Sequence, residues 1–329
     1  MEVEALIAHA QELIDAGEYE SGLSALDEAL KIDPSSGLAW YCKGCTYSQM
    51  AQFAHAVPCY KRATELAPRN PVGWYNLGNA FQQVEQLDAA IECFDEASKL
   101  DTEFADALIN KGRLLDDTGR SESAIECYDK ALRIDGNDVI AWSNRGNSLC
   151  KLGRYKAALA SYGRALKIDD KDVAALFGIS ECLRELERPQ KALLYVDRGL
   201  RYMPDYAPGW CDKAIVLTIL NRYDEALACI ERATQIDSTS VEAWNNNGEV
   251  LCHLTRYTEA IPCFDEALSI ERTYLPAIFG KARALLNMGD HGSCAAICNQ
   301  FFEIADPYDD LYEETRLMLD MCEGQADER

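Results

Sequence analysis

Apolar side chains recur along the chain at the three- and four-residue spacing of amphipathic helices, and the whole pattern repeats every 34 residues. The segment that begins at Pro71 shows two apolar stripes separated by a break near residues 85–87. The first stripe is Trp74, Leu77, Gly78 and Phe81, and the second is Ala90, Ile91, Phe94 and Ala97. Each period therefore predicts two short helices joined by a turn.

Nine periods follow one another over residues 3–308 without insertion or deletion. With Val3 as position 1, the later periods begin at Gly37, Pro71, Ala105, Val139, Val173, Ala207, Val241 and Leu275. Position 8 is always Gly, Ala or Ser, and all five tryptophans (Trp40, Trp74, Trp142, Trp210 and Trp244) occupy position 4. Small residues let two helix backbones approach closely, while large residues at positions 4, 11 and 24 fill the space beside them. The pattern predicts one continuous stack of helix pairs.

Turn residues and the end of the chain fit the same plan. Glycine occupies the break between the two predicted helices at Gly17, Gly119, Gly153 and Gly289, where a left-handed residue would end the first helix. After the ninth period, residues 309–322 predict a capping helix that covers the open end of the core. Residues 323–329 are polar, and we expect a flexible tail there.

Trp, Leu, Gly, Tyr, Ala, Phe, Ala and Pro at positions 4, 7, 8, 11, 20, 24, 27 and 32 form a pattern that resembles the tetratricopeptide repeat. The third period matches it through the residues named above, although six of the nine periods lack the proline at position 32. The resemblance implies an all-α, right-handed superhelical solenoid whose first helices line a concave groove that holds peptides. It is specific for the fold and weak for function, because the family is defined by its scaffold.

The net charge of −23, from 55 acidic and 32 basic residues, disfavours nucleic acid and anionic membranes as partners. A neutral or basic protein segment fits this charge better. Glu2 and Glu4 stand where a secretory signal would carry basic residues, and no apolar run is long enough for a membrane span. We therefore expect a cytoplasmic protein. End-to-end self-association through the uncapped first period is a further prediction.

No catalytic constellation is visible in the sequence. The four histidines (His9, His55, His253 and His291) fall at different positions of different periods, and there is no phosphate-binding glycine loop. We expect no enzyme activity and no cofactor. Acid doublets such as Asp116–Asp117 are interpreted as parts of a solvated face.

Fourteen cysteines are interpreted mainly as small, semi-buried thiols in a reducing compartment. Two pairs, Cys42 with Cys45 and Cys294 with Cys298, lie on one face of a predicted helix and leave a thiol- or metal-dependent protein open as an alternative. A closed metal site needs four ligands, and neither pair has a second pair at matching spacing. A regulatory subunit of a separately encoded enzyme is another alternative.

The groove predicted by the resemblance carries side-chain amides. Positions 2, 5, 6, 9, 12 and 13 of each first helix point away from the packed stripe. Position 6 is Asn76, Asn110, Asn144 and Asn246, while Asn79, Asn147 and Asn245 lie at positions 9 and 5. An amide can bond both polar groups of a peptide backbone unit. Four aromatic residues are expected as exposed anchors: Tyr41, Tyr75, Phe177 and Phe279.

Charge on these groove positions favours a basic ligand. Ten of them are acidic: Glu4, Asp15, Asp106, Asp116, Asp117, Glu181, Glu185, Asp212, Glu242 and Glu249. Four are basic: Arg113, Lys151, Arg184 and Arg283. The sequence thus predicts a non-catalytic scaffold or adaptor that binds a peptide segment of a partner protein, with Arg113 and Arg283 among the groove residues.

Overall fold

The computed structural model describes residues 2–326, and this part of the chain contains helices and turns but no strand. The first helices of nine successive hairpins are α1 (Glu2–Asp15), α3 (Gly37–Gln49), α5 (Pro71–Gln83), α7 (Ala105–Asp117), α9 (Val139–Lys151), α11 (Val173–Glu185), α13 (Ala207–Ile219), α15 (Val241–His253) and α17 (Leu275–Asn287). The second helices are α2 (Tyr19–Ile32), α4 (Phe53–Leu66), α6 (Leu87–Leu100), α8 (Ser121–Ile134), α10 (Tyr155–Ile168), α12 (Pro189–Tyr202), α14 (Tyr223–Ile236), α16 (Tyr257–Ile270) and α18 (His291–Ile304). A last helix, α19 (Tyr312–Ala326), follows. The predicted all-α solenoid of helix-turn-helix units is confirmed.

Helix contacts divide the chain into two compact units, Met1–Asp169 and Asp170–Arg329, where the sequence predicts one continuous array. The N-terminal unit contains α1–α10 and the C-terminal unit contains α11–α19. Within each unit, every helix packs against its hairpin partner, and each second helix also packs against the first helix of the next hairpin. Stacking of this kind lets a hairpin bury its apolar face only against its neighbours.

Glycine at position 8 allows the two helices of a hairpin to touch. A Cβ atom on Gly78 would lie 2.8 Å from the Phe94 ring, and one on Gly112 would lie 2.7 Å from the Tyr128 ring. Phe94 and Tyr128 are fully buried position-24 aromatics. The predicted interlocking of small and large residues is therefore confirmed at these hairpins.

The turns inside the hairpins all pass through the left-handed backbone region. Gly17, Gly119, Gly153 and Gly289 have φ between 69° and 83°, as predicted. The same conformation is imposed on five residues with a Cβ atom, Ala51, Glu85, Glu187, Asn221 and Thr255, with φ between 56° and 60°. Such residues are strained there, because the Cβ atom crowds the following carbonyl oxygen.

Every tryptophan ties its helix to the turn before it. The Trp142 indole Nε1 donates a 2.9 Å hydrogen bond to the carbonyl oxygen of Gly136, six residues earlier. Trp40, Trp74, Trp210 and Trp244 make the same bond to Pro34, Pro68, Pro204 and Ser238. The ring is half-buried, so it packs on the core with one edge and holds the turn with the other.

Helix α19 covers the end of the C-terminal unit. Met318 and Cys322 are buried in one cluster with Cys298 and Phe301 of α18. The helix begins three residues later than predicted, because Asp309 instead accepts a 2.9 Å hydrogen bond from the Leu311 backbone at its entry. It ends at Ala326, so residues 323–326 of the predicted tail are helical, and residues 327–329 lie outside the described part of the chain.

Candidate functional site

Positions 2, 6, 9, 12 and 13 of the first helices lie on one side of each unit, which we call the first-helix face. In the N-terminal unit it includes all the predicted amides from Asn76 to Asn147, and most of their side chains are half-buried. The side chains of position 6 reach across to the preceding first helix. This contact determines which polar groups of the face are available to a ligand.

Three of the five predicted amides of this unit, Asn76, Asn79 and Asn110, are already engaged. The Asn76 Nδ2 group donates to the Tyr41 hydroxyl at 2.7 Å, across the gap between α3 and α5. The Asn110 Nδ2 group donates to the Tyr75 hydroxyl at 3.1 Å and to the Asn79 Oδ1 atom at 3.2 Å. An amide nitrogen has two hydrogens, so Asn76 keeps one donor and its carbonyl, whereas Asn110 keeps only its carbonyl.

The other two amides of this unit differ from each other. The Asn147 Oδ1 atom accepts a 2.7 Å hydrogen bond from the hydroxyl of Tyr162, which is buried in its own hairpin. Asn144 is half-buried and its side chain makes no hydrogen bond to any residue that the structure describes. Asn144 therefore offers a complete amide, two donors and one acceptor, to an external group.

The predicted aromatic anchors are not exposed. The Tyr75 ring packs against Phe94 and Phe104, with ring centroids 5.7 Å and 4.9 Å away. The Tyr41 ring lies 5.9 Å from Tyr60. Position 5 faces the next first helix rather than solvent, so these rings support the amides instead of serving as free anchors.

Apolar side chains at position 2 are exposed on the same face. Leu38, Val72 and Ile140 have 58%, 43% and 63% of their surface accessible. The sequence places position 2 on the groove side but gives these residues no role as anchors. The sequence does contain a feature that could have identified them. Each is an aliphatic residue at position 2, outside the apolar stripe that packs the helix.

Charges on the N-terminal face are partly neutralised. Asp116 is buried, contrary to the interpretation of the Asp116–Asp117 doublet as a solvated face. Burial opposes its charged form, but Lys151 at 2.7 Å and the Ser121 hydroxyl at 2.7 Å hold the pKa of Asp116 below its ordinary value. Arg113 is exposed and donates to the Gln82 side-chain oxygen at 3.0 Å. Asp117 remains exposed.

In the C-terminal unit, two residues that were predicted to line the groove are buried instead. Phe279 has 7% of its surface exposed and lies in the cluster that α19 covers, so it is no exposed anchor. Asn245 is also buried, and its Oδ1 atom has no hydrogen-bond donor among the described residues. Both occupy position 5, which the next helix of the stack covers. Phe177, at the same position, is half-buried against Tyr206, with ring centroids 5.2 Å apart.

Acidic groups remain on the C-terminal face after its basic residues are paired. Arg283 pairs with Glu249 and lies 5.6 Å above the Phe279 ring centroid. Arg184 lies 3.2 Å from Glu185 and 3.9 Å from Asp212. Burial, only partly offset by Arg184, raises the pKa of Asp212 to about 6, and Glu181 adds to the rise. Asn246 is half-buried, with a side chain that bonds no described residue.

The cysteine pairs have no metal-site geometry. Burial raises the pKa of the Cys42 thiol to about 11, so it is protonated near neutral pH. Cys294 and Cys298 are buried with sulfur atoms 4.0 Å apart, and burial raises both of their pKa values. Within residues 2–326, no three His, Cys, Asp or Glu side chains are grouped as a metal ion would require.

None of the helices within residues 2–326 combines the length and the apolar character needed to cross a lipid bilayer. The longest described helix, α19, has 15 residues.

Family models described as tetratricopeptide repeat match five stretches of the chain: residues 38–70, 75–139, 139–172, 207–240 and 241–274. Together these stretches cover more than half of the sequence. Among curated proteins, none matches the chain.

Solved structures with similar folds include the APC/C hetero-tetramer Cut9-Hcn1, with a TM-score of 0.63 and 18% identity over 85% of this chain and 55% of that one. A tetratricopeptide repeat protein from Parabacteroides merdae has a TM-score of 0.56 and 17% identity over 86% of this chain and 99% of that one. Yeast Tom70 has a TM-score of 0.52 and 12% identity over 99% of this chain and 96% of that one. At these identities the likeness concerns the fold alone.

Proposed function

Because this chain belongs to the tetratricopeptide repeat family, we propose that it is a non-catalytic scaffold that binds an extended segment of a partner protein on its first-helix face. The observation that carries the proposal is the half-buried amide of Asn144, which has no hydrogen-bond partner among the residues that the structure describes. The polar atoms of this side chain are not among the buried groups that lack a partner, so they stay accessible and can bond a ligand in place of water.

Exposed aliphatic residues supply the apolar part of this site. Leu38, Val72 and Ile140 lie on the same face of the N-terminal unit as Asn76 and Asn144. Apolar anchors beside fixed amides match the usual composition of a peptide site, in which buried apolar contacts give affinity and amides bond the peptide backbone.

The charge of the face favours a neutral or basic segment. On the C-terminal face, Arg184 and Arg283 are neutralised by acids of the same unit, while Glu181 is exposed and forms no ion pair with a described residue. On the N-terminal face Lys151 is neutralised by Asp116. An acidic excess raises the association rate of basic ligands, more strongly at low salt.

The test begins with peptides selected from a random display library against the full chain, with binding measured by calorimetry. Asn144→Ala should weaken the selected peptides by about tenfold, the effect of losing hydrogen bonds of about 1 to 1.5 kcal/mol. Asn137→Ala is the matched control, because Asn137 is an exposed amide in a turn of the same unit. Selected peptides that bind the Asn144→Ala protein as tightly as the wild type would remove the face from consideration.

A further inference from the structure

A cation lies over the tryptophan ring in three hairpins and bridges to the preceding second helix. In the N-terminal unit, the Arg145 guanidinium is 6.0 Å from the Trp142 ring centroid and 2.7 Å from Asp129 of α8. Lys43 repeats the arrangement over Trp40, with Asp27 as its partner. In the C-terminal unit, Lys213 lies 5.4 Å above Trp210 and 2.8 Å from Asp197. The cation at position 7 and the carboxylate at position 25 thus link Trp40, Trp142 and Trp210 to the helix before each of them.

The arrangement is missing at Trp244, where position 7 is Asn247, and at Trp74. At Trp74 both members of the ion pair are replaced. Position 7 is Leu77, and position 25 of the preceding second helix is Lys61 instead of an aspartate. Leucine carries no charge and is shorter than lysine or arginine, so neither the ion pair nor the cation over the ring can form. A cavity of about 560 Å³ lies at this point between α4, α5 and α6.

Aromatic and aliphatic side chains form the floor of this cavity, which we call the Trp74 cavity. Leu77 and Phe81 are only 2% and 4% exposed, and Trp74 is half-buried beside them. The Lys61 ammonium lies 5.0 Å above the Phe81 ring centroid, and the attraction between cation and ring holds it there. The volume falls within the range of about 300 to 1,000 Å³ that is usual for ligand pockets, and seven of the twelve lining residues are polar or charged.

One acidic wall residue has no partner. Glu92 of α6 lines the cavity, is exposed, and forms no hydrogen bond or ion pair with the described residues. Its neighbours Asp95 and Glu96 are each paired with Lys99 at 2.7 Å. Four acids and two lysines line the cavity in all, so its rim is acidic.

From these contacts we infer that the Trp74 cavity is a second binding site, for a partner segment that inserts one large apolar side chain next to a basic residue. The apolar side chain packs mainly on the half-buried Trp74 ring, because Leu77 and Phe81 behind it expose little surface, and the basic group pairs with Glu92. The site uses positions 4, 7 and 11 and the second helices, none of which belongs to the first-helix face. It therefore stands or falls separately from the function proposed above.

The test uses the full chain labelled with 5-fluorotryptophan and the probe N-acetyl-tryptophanyl-arginine amide. The chain has five tryptophans, so we expect five fluorine resonances, and the Trp74 resonance is the one that Trp74→Phe removes. We expect a saturable shift of the Trp74 resonance and none at the other four. N-acetyl-tryptophanyl-glutamate amide should bind about tenfold more weakly, because it places a negative charge beside Glu92.

A closing variant gives the decisive comparison. Lys61→Asp combined with Leu77→Lys recreates the ion pair found elsewhere in both units, so it should fold normally and abolish the probe-induced shift. Glu92→Gln leaves the cavity open and should remove the preference for the arginine probe over the glutamate probe. The inference is overturned if the wild type shows no saturable Trp74 shift, if both probes bind it equally, or if a folded closing variant still responds.

Discussion

The side-chain amide of Asn76 and the hydroxyl of Tyr41, 35 residues apart in the sequence, form a 2.7 Å hydrogen bond that joins two successive first helices. Asn110 and Tyr75 repeat it one hairpin later. Asparagine at position 6 consequently has two separable roles in this chain. It supports the stack where a tyrosine precedes it, and it is left for a ligand where none does.

Alanine substitutions should separate these roles. Asn76→Ala leaves a half-buried tyrosine hydroxyl without its donor, so we expect the free energy of unfolding to fall by about 1 kcal/mol. Asn144→Ala removes no intramolecular bond and places a good helix former in α9, so stability should be unchanged or slightly higher. Urea denaturation of the two variants tests this. Equal losses in both would show that the amides of the face act alike.

The left-handed turns offer a stabilising substitution. Thr255 is β-branched and has φ of 58°, so Thr255→Gly should raise the free energy of unfolding by about 1 kcal/mol as the Cβ strain is relieved. Gly153→Ala is the reverse control, because Gly153 has φ of 69° and a Cβ atom there meets no neighbour within 4 Å. A lower free energy of unfolding in Gly153→Ala would therefore come from backbone strain alone. Thermal melts of both proteins provide the measurement, and a lower melting temperature for Thr255→Gly would contradict the expectation.

Two helical glycines should respond in opposite directions to alanine. In Gly78→Ala the new methyl group would lie 2.8 Å from the buried Phe94 ring, and we expect a loss of about 1 to 3 kcal/mol from overpacking. In Gly163→Ala nothing lies within 4 Å, so the greater helix propensity of alanine should add about 1 kcal/mol. Chemical denaturation distinguishes the two cases. Similar effects at both sites would mean that position 8 is not a close contact.

Asp212 predicts a pH dependence of stability. Its pKa is about 6 in the folded protein and near 3.8 when unfolded, so the folded state binds more protons between these values. The contribution of Asp212 to the free energy of unfolding should therefore fall as the pH rises from about 4 to about 6 and be flat above that range. The free energy of unfolding of wild type minus that of Asp212→Asn should therefore decrease over this range. Parallel pH profiles for wild type and variant would exclude Asp212 as the source.

Sequence periodicity is sufficient to predict the helices and the turns between them. Some turns carry a glycine that marks them, and the others lie a multiple of 34 residues away from such a turn. Periodicity does not determine how deeply each side chain is buried. Position 5 looked like part of the groove, yet Phe279 and Asn245 are buried. Their burial depends on the helix stacked next to them, a contact that no pattern within one hairpin encodes. The 35-residue offset from Tyr41 to Asn76 was the available clue.

The Trp74 cavity also could not be predicted from its own hairpin. It becomes evident only when Leu77 is compared with the residues at position 7 of other hairpins. Leu77 matches the repeat pattern closely, and nothing about it is unusual in isolation. Leu77 matters because Arg145 and Lys213, at the same position of other hairpins, form ion pairs with aspartates of the preceding helix. Those ion pairs are seen only in the three-dimensional structure.

The tryptophan bond to a turn carbonyl explains why that turn tolerates sequence change. The acceptor is a main-chain oxygen, contributed by Pro34, Pro68, Gly136, Pro204 or Ser238. Since every amino acid carries this oxygen, the anchored residue can vary freely while the indole remains fixed. Designers who wish to graft a recognition loop onto this scaffold should therefore choose the position six residues before a tryptophan.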